Sequence, residues 1–221
     1  MQQPPENESL PSPELRGLRP PPWEERERYG VLNALVLTIR LVLLSPGRMF
    51  GRMPVGMGLT QPLLFAVALA LIGALFDWMW SLTVGESLAR ILPGDLSRLL
   101  GGRYLTAAHF LLSPVVVLLL VFLRAGLFHA VLRLLGGSRL GFEATFRVVA
   151  YTRATRLLSI LPVCGAALGM IWELAVTIIG LARIHDCPEW KAIVAVLLPA
   201  VLLLMAGGAF GTFLLGMAAI S

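Results

Sequence analysis

The chain has 221 residues, of which 57% are apolar and only 14% charged, against about 25% charged residues in an ordinary soluble domain. Several apolar runs are too long for a soluble core of this size, and because they are continuous rather than alternating, they also exclude an outer-membrane barrel. The net charge is +5, but the basic residues flank apolar runs and form no stripe with aromatic residues, so nucleic acid is not an expected partner.

The first segment, residues 1–28, is rich in proline and glutamate and holds few apolar residues. This composition is typical of a disordered segment, because there is too little apolar surface to offset the entropy of folding. No secretory signal peptide is recognisable, since the N-terminus is acidic and proline-rich. The sequence therefore predicts a disordered cytoplasmic head over residues 1–28.

The next segment, residues 29–61, contains an apolar stretch that ends at Leu44, before Ser45 and Pro46. At about 16 residues it is shorter than the roughly 20 that a spanning helix needs, and it carries Arg40. We expect an amphipathic segment that lies in the membrane interface or packs under the bundle. A tilted span is the alternative.

Residues 62–220 are predicted to form an all-α membrane bundle of five transmembrane helices, with four as the alternative. Four apolar runs are clear spans, at about 62–84, 104–135, 163–184 and 192–220. A weaker candidate, 146–161, contains Arg147, Arg153 and Arg156. An arginine at the centre of a span costs about 2.5 to 3.5 kcal/mol, whereas each leucine contributes only a few tenths. This segment can insert only as a hairpin with the next helix. Whether it inserts decides between five and four transmembrane helices.

The distribution of basic residues favours five spans with the N-terminus in the cytoplasm and the C-terminus outside. In that topology Arg133, Arg139, Arg183 and Lys191 all lie on the cytoplasmic side, as the positive-inside rule requires. Four spans would put Arg183 and Lys191 outside. We expect an integral protein of the plasma membrane, which is the inner membrane if the source is bacterial.

Glu173 stands in the middle of the fourth span and needs a partner. In a hairpin that turns at residue 163, residues 153 and 173 lie equally far from the turn and therefore at the same depth. This register predicts an ion pair between Arg153 and Glu173, with Arg156 as the alternative partner. In the structural interpretation, the ion pair neutralises the charges and lets the weak helix insert. In the functional interpretation, the same residues form a substrate or proton site.

Asp77 is a second intramembrane candidate, at a depth comparable with that of His109 in the next span. A titrating Asp–His pair could relay protons. A carboxylate near the headgroups is more often hydrated or hydrogen-bonded, here by His109 or Arg103.

Small residues four apart permit close helix contact, either within one bundle or between copies of the chain. Two such pairs are present, Gly165 with Gly169 and Gly207 with Gly211.

Catalytic motifs are not recognisable in the sequence. The histidines have no metal-ligand spacing, and there is no nucleophile elbow or phosphate-binding loop. A pairing of Ser159 with His129 lacks an orienting group. We therefore expect no enzyme activity, no cofactor and no metal.

Glycine, proline and aromatic residues mark the apolar helices of the second half of the chain, at Gly136, Gly137, Tyr151, Pro162, Gly165 and Trp172. With Leu44, Ser45 and Pro46 upstream, this pattern resembles the Yip family of Ypt- or Rab-interacting proteins (the Yip-one domain), over about residues 31 to 218. The resemblance implies a five-span bundle with a cytoplasmic N-terminus. In eukaryotes, members of the family bind prenylated Rab GTPases and act in vesicle traffic or membrane shaping.

Lys191 is the only lysine, and this preference for arginine fits a GC-rich bacterial genome, so we expect a bacterial member of the family. The leading hypothesis is a non-enzymatic scaffold that organises lipid or protein partners, with self-association left open. The alternative is a small-solute or ion transporter or channel that uses Glu173, Arg153, Arg156 and Asp77.

Overall fold

The computed structural model describes residues 17–83, 103–161 and 164–220, and within these ranges the side chains of 81–83, 103–111, 203 and 206–220 are left undescribed. The described chain is helical throughout, which confirms the all-α class. Its elements in chain order are a 3₁₀ helix Pro22–Glu25, α1 Arg26–Tyr29, α2 Val31–Leu44, α3 Pro46–Phe50, α4 Thr60–Thr83, α5 Arg103–Leu134, α6 Phe142–Tyr151, a 3₁₀ helix Thr152–Ile160, α7 Gly165–Ile184 and α8 Glu189–Ile220.

In the part of the chain with described side chains, three helical stretches are long and apolar enough to cross a membrane: Thr60–Trp80, Leu112–Leu134 and Gly165–Ile184. The second and third lie within the spans predicted at 104–135 and 163–184, and the first overlaps the span predicted at 62–84 but begins two residues earlier. The last helix, α8, has 32 residues, but its side chains are described only in part. The membrane bundle is therefore confirmed, whereas the count of five stays a prediction.

The weak segment predicted at 146–161 contains most of the longest continuous run of buried residues in the described part of the chain. We call α6 and the following 3₁₀ helix, residues 142–160, the central segment. Every residue from Ala144 to Thr155 is buried, and neighbours from α4, α5 and α7 surround the segment. Arg147 and Arg153 are thus shielded by protein, whereas Arg156 is about one-third exposed.

The central segment changes from an α-helix to a 3₁₀ helix after Tyr151, where the sequence predicted one continuous helix. Three hydroxyl groups in this region donate hydrogen bonds to carbonyl groups three residues earlier. Thr152 bonds to Val149 and Thr155 bonds to Thr152, each at 2.9 Å, and Ser159 bonds to Arg156 at 2.7 Å. This spacing is that of a 3₁₀ turn, and such local bonds compete with the regular α-helical pattern.

Contacts at the two ends of the bundle show that α4 and the central segment run in the same direction. Near the start of both, the Glu143 carboxylate accepts hydrogen bonds from the backbone N–H groups of residues 56–58, each at 3.0 Å. Near the far end, the indole N–H of Trp80 donates to the carbonyl oxygen of Ser159 at 3.0 Å.

The helices α5 and α7 run opposite to the central segment. The first residue of α7, Gly165, packs against Leu158, whereas His185, just beyond its last turn, hydrogen-bonds to Thr145 near the start of α6. In α5, His129 near the end of the helix also contacts Thr145. Successive long elements therefore alternate in direction from α4 to α7.

Part of the segment predicted as a disordered head packs on the bundle. Trp23 is buried, its backbone N–H donates to the Thr38 hydroxyl, and its indole N–H donates to the Gln61 carbonyl, both at 2.9 Å. The burial of this one tryptophan anchors the segment to the bundle, and the average composition of the segment does not indicate it. Residues 22–29 are thus helical and docked, and residues 17–21 precede them without helical structure. Residues 1–16 of the predicted head lie outside the described residues.

One face of α2 is buried and the other carries exposed apolar side chains. The buried face includes Ala34, Thr38, Ile39 and Val42. The exposed apolar residues are Val31, Leu32, Val36 and Leu44. The end of α2 reaches the bundle, because the indole N–H of Trp172 donates to the Leu43 carbonyl at 3.2 Å. The interfacial position expected for residues 29–61 stays a prediction.

Candidate functional site

The arginines of the central segment each contact a carboxylate from a different element. The pairs are Arg147 with Glu24, Arg153 with Glu173 and Arg156 with Asp77. The carboxylates come from the N-terminal 3₁₀ helix, from α7 and from α4. A segment with three arginines can therefore lie in the middle of an apolar bundle, because each cation has a nearby counter-charge.

Arg147 and Glu24 form the most deeply buried of these pairs. Their side chains are 0% and 3% exposed, and the Arg147 Nη2 to Glu24 Oε1 distance is 2.5 Å. The Tyr151 hydroxyl donates to the same oxygen at 2.5 Å, and Arg147 also donates to the Gly58 carbonyl at 3.3 Å. Sequence reasoning missed Glu24, because it lies in the segment predicted to be disordered.

Glu173 contacts two arginines. Its nearest partner is Arg124 of α5, and Arg153 lies 3.7 Å away. The hairpin register predicted Arg153 at this depth. Sequence reasoning missed Arg124 as a partner, since it was expected to mark the end of a span at the headgroups.

Asp77 pairs with Arg156 at 2.6 Å, so Arg156 does not serve as the alternative partner of Glu173. Both side chains are about one-third exposed. Gly73, one turn before Asp77, leaves room for the arginine, because a Cβ there would lie 3.4 Å from Arg156 atoms. The side chain of His109 lies outside those described, so its pairing with Asp77 stays untested.

A cavity of about 350 Å³ lies between the 3₁₀ part of the central segment and α7. Two glycines let the two backbones approach closely at its edge. A Cβ on Gly165 would collide with the Leu158 carbonyl oxygen, and one on Gly169 would lie 3.1 Å from that of Thr155. The small-residue spacing here thus serves contact within one chain. The cavity is lined by Arg153, Thr155, Arg156, Ser159, Gly165, Ala166, Gly169, Met170 and Glu173.

A second cavity, of about 300 Å³, lies between the proline run at residues 20–22 and α3. We call it the basic pocket. Three arginines line it, Arg19, Arg48 and Arg52, together with a single carboxylate, that of Glu25. The backbone N–H of Arg19 donates to the Arg52 carbonyl at 2.8 Å, which holds the N-terminal segment against the chain after α3.

A hydrogen-bonded cluster of three side chains, His129, Thr145 and His185, joins α5, α6 and the end of α7. The Thr145 hydroxyl lies 3.0 Å from His129 Nδ1 and 2.9 Å from His185 Nε2. The Leu140 N–H donates to His185 Nδ1 at 3.3 Å, so His185 Nε2 carries the proton of the neutral ring and donates to Thr145. Burial, reinforced by His129, lowers the pKa of His185 from 6.5 to about 4. His185 is therefore neutral at physiological pH.

Two glycines of the family pattern, Gly136 and Gly137, shape the turn after α5. Gly136 has a positive φ of 62°, which favours glycine after a helix, and its carbonyl accepts a hydrogen bond from Lys191 Nζ at 3.1 Å. A Cβ on Gly137 would lie 3.1 Å from the Lys191 side chain. These residues, with Tyr151, Gly165 and Trp172, fix contacts between elements; Pro162 lies outside the described residues.

Possible metal ligands do not cluster in the described part of the chain, where no group of three histidine, cysteine or acidic side chains could hold an ion.

Apolar helices of spanning length around a buried, neutralised arginine segment define an integral membrane protein. The chain belongs to the Yip1 domain family, whose family model matches residues 40–210. This match confirms the resemblance read from the sequence, and it includes all three arginines of the central segment but not Glu24. Neither the comparison with curated proteins nor that with solved structures gives a match.

Proposed function

We propose that the protein is a non-enzymatic membrane organiser that gathers anionic lipids at its cytoplasmic face. The observation that carries this proposal is the basic pocket beside α2. Arg19, Arg48 and Arg52 form no ion pair with any other described residue, so their charges are free for a ligand. Near an anionic membrane surface, each such residue contributes about 1 kcal/mol of attraction.

The surroundings of the basic pocket suit a lipid better than a soluble anion. Leu41 of α2 lines the pocket, and Leu44, one turn further along α2, is exposed. The exposed side of α2 also carries Arg40. A phosphate headgroup in the pocket would leave its acyl chains beside the exposed apolar side chains of α2. Helices with such a face bind membranes through buried apolar area together with attraction to anionic lipids.

The proposal includes five crossings, with the N-terminus in the cytoplasm. The alternating directions of α4, α5, the central segment and α7 support it. So does the length of the central segment: ten α-helical and nine 3₁₀ residues extend about 33 Å, close to the roughly 30 Å of the hydrocarbon core. The basic pocket then lies on the cytoplasmic side, with the ends of α5 and α7.

The two native cysteines test this topology directly. Cys164 is exposed beside the start of α7, and Cys187 follows its end. Single-cysteine variants are treated in intact cells with a membrane-impermeant maleimide. Five crossings predict labelling of Cys164 and protection of Cys187 until the cells are opened. The four-crossing alternative predicts the reverse.

Lipid retention tests the function. Purified protein is exposed to equal amounts of phosphatidylglycerol and phosphatidylcholine, and bound lipids are counted by native mass spectrometry. The double variant Arg48→Gln/Arg52→Gln should retain several-fold less phosphatidylglycerol. The control Arg133→Gln/Arg139→Gln removes the same charge from exposed sites at the same end of the bundle and should retain wild-type levels. Equal retention by both double variants would contradict the proposal.

Transport of a small solute or ion is a second candidate, favoured by the cavity between the 3₁₀ helix and α7. Glu173, Arg153 and Arg156 line this cavity and could form a polar path. Flux into reconstituted vesicles that disappears in Glu173→Gln would support transport. The contacts of Glu173 with two arginines support a structural role for this carboxylate instead.

A further inference from the structure

We propose that the cavity between the 3₁₀ helix and α7 is a binding site for a phosphate group, carried by a phospholipid or free in solution. This site lies at the opposite end of the bundle from the basic pocket and does not depend on the function proposed above. Three observations support it: an excess of positive charge among the described residues, a buried arginine that lines the cavity, and a cavity of suitable size.

The described ionisable groups at this cavity do not balance. Arg153, Arg156 and Glu173 line the cavity, and Arg124 and Asp77 are ion-pair partners of these lining residues. Among these five described residues, three positive charges accompany two negative charges, so one positive charge has no counter-charge. Such a charge is expensive in a low-dielectric environment unless an anion accompanies it.

Arg153 is the most deeply buried cation that lines the cavity, with 8% of its surface exposed. Its Nε–H group is buried without a hydrogen-bond partner, as is that of Arg147. The carboxylate that it faces, that of Glu173, lies 3.7 Å away and is already engaged by Arg124. A guanidinium group binds phosphate through two parallel N–H donors, so a phosphate in the cavity could bind the Arg153 guanidinium and supply the missing counter-charge.

The cavity has room for this ligand and an opening towards lipid. Its volume of about 350 Å³ lies within the range of small-molecule sites. Gly165 and Ala166, in the first turn of α7, line it, so the positive end of that helix adds to the attraction for an anion. Met170, also lining the cavity, is 69% exposed on the outer surface of the bundle. A phospholipid headgroup could enter on this side.

The test follows the thermal unfolding of purified, delipidated full-length protein carrying Arg48→Gln/Arg52→Gln, so that the basic pocket has lost two of its three arginines. One series adds inorganic phosphate against sodium chloride of equal ionic strength, and another adds short-chain phosphatidylglycerol against a neutral detergent. Ligand binding to the folded state raises the unfolding midpoint. A rise with inorganic phosphate assigns the site to the free anion, and a rise with phosphatidylglycerol alone assigns it to the lipid. No rise in either series would overturn the proposal.

The variant Arg153→Gln separates this site from the basic pocket. Added to the Arg48→Gln/Arg52→Gln protein, it should weaken the apparent affinity at least tenfold. Without ligand, the midpoint of Arg153→Gln should equal or exceed that of the wild type, because the substitution removes the excess charge. Arg153→Lys, which keeps the charge but loses the planar fork, should bind with intermediate affinity. A full ligand response in Arg153→Gln, or poor folding of this variant without ligand, would contradict the assignment.

Discussion

Glu24 and Arg147 are 123 positions apart in the sequence, yet they form an ion pair of 2.5 Å in which both side chains are almost completely buried. The pair joins the N-terminal 3₁₀ helix to the centre of the bundle. Without Glu24, the only carboxylate paired with Arg147 among the described residues would be the partly exposed Glu143, 3.5 Å away. The N-terminal segment thus supplies the buried counter-charge of Arg147 and is part of the folded domain.

Truncation should distinguish the two parts of the N-terminal segment. Deleting residues 1–16 leaves Trp23 and Glu24 in place and should not change the yield of monodisperse protein in size-exclusion chromatography. Deleting residues 1–28 removes both the apolar anchor and the counter-charge of Arg147, so the yield should fall sharply. Similar yields for the two truncations would show that the bundle does not need this segment.

Substitution of Glu173 by alanine should lower the amount of folded protein, because Arg124 and Arg153 both lose their carboxylate. A second substitution should restore part of the yield. Arg153→Ala should restore more than Arg124→Ala, since Arg153 is the more deeply buried and the less able to reach water. The measurement is the fluorescence-detected elution profile of the single and double variants. Greater rescue by Arg124→Ala would show that Arg124 bears the larger part of the unpaired-charge penalty.

Gly165→Ala should destabilise the bundle, because the new Cβ would collide with the backbone carbonyl of Leu158. Backbone of both elements would have to shift, at a cost of about 1 to 3 kcal/mol. Gly126→Ala is the matched control, since this glycine is also helical and a Cβ there meets no atom within 4 Å. The control should be neutral or slightly stabilising. Unfolding midpoints of the two variants measure the difference.

Acidification should weaken the fold through His185. Its pKa is about 4 in the folded protein and 6.5 in the unfolded chain, so the unfolded chain binds more protons between these values. Stability is complete above about pH 6.5 and falls as the pH drops towards 4, by up to about 3 kcal/mol from this residue. In His185→Gln this part of the pH dependence should disappear. An unchanged pH profile in that variant would assign the acid sensitivity to other groups.

The membrane class and the family were accessible from the sequence because each depends on local features. Apolar runs of spanning length identify helices without reference to their neighbours, and glycine and proline marks identify the family. Arg153 and Glu173 were also brought together by a local argument, the register of one hairpin. The structure has them 3.7 Å apart, although Arg124 is the nearer partner.

The missed partners depend on contacts that no local pattern contains. Glu24 lies in a proline- and glutamate-rich segment whose average composition indicates disorder, and only the packing of Trp23 brings it to Arg147. In the sequence, Arg124 has the position of an arginine at the lipid headgroups. Only the tertiary fold places Glu173 of α7 beside it. The 3₁₀ helix arises from hydroxyl bonds that compete with an otherwise regular helix. Tertiary context decides each of these features.

A double-mutant cycle on Glu24 and Arg147 tests most directly whether the central segment is held in the bundle by its carboxylate partners. The unfolding free energy is measured for Glu24→Gln, Arg147→Gln and the double variant. Each single variant should lose about 3 to 5 kcal/mol, and the double variant should lose clearly less than the sum of the two. Glu27→Gln, an exposed neighbour, serves as the control. Single variants as stable as the wild type, or strictly additive losses, would contradict this role of the pair.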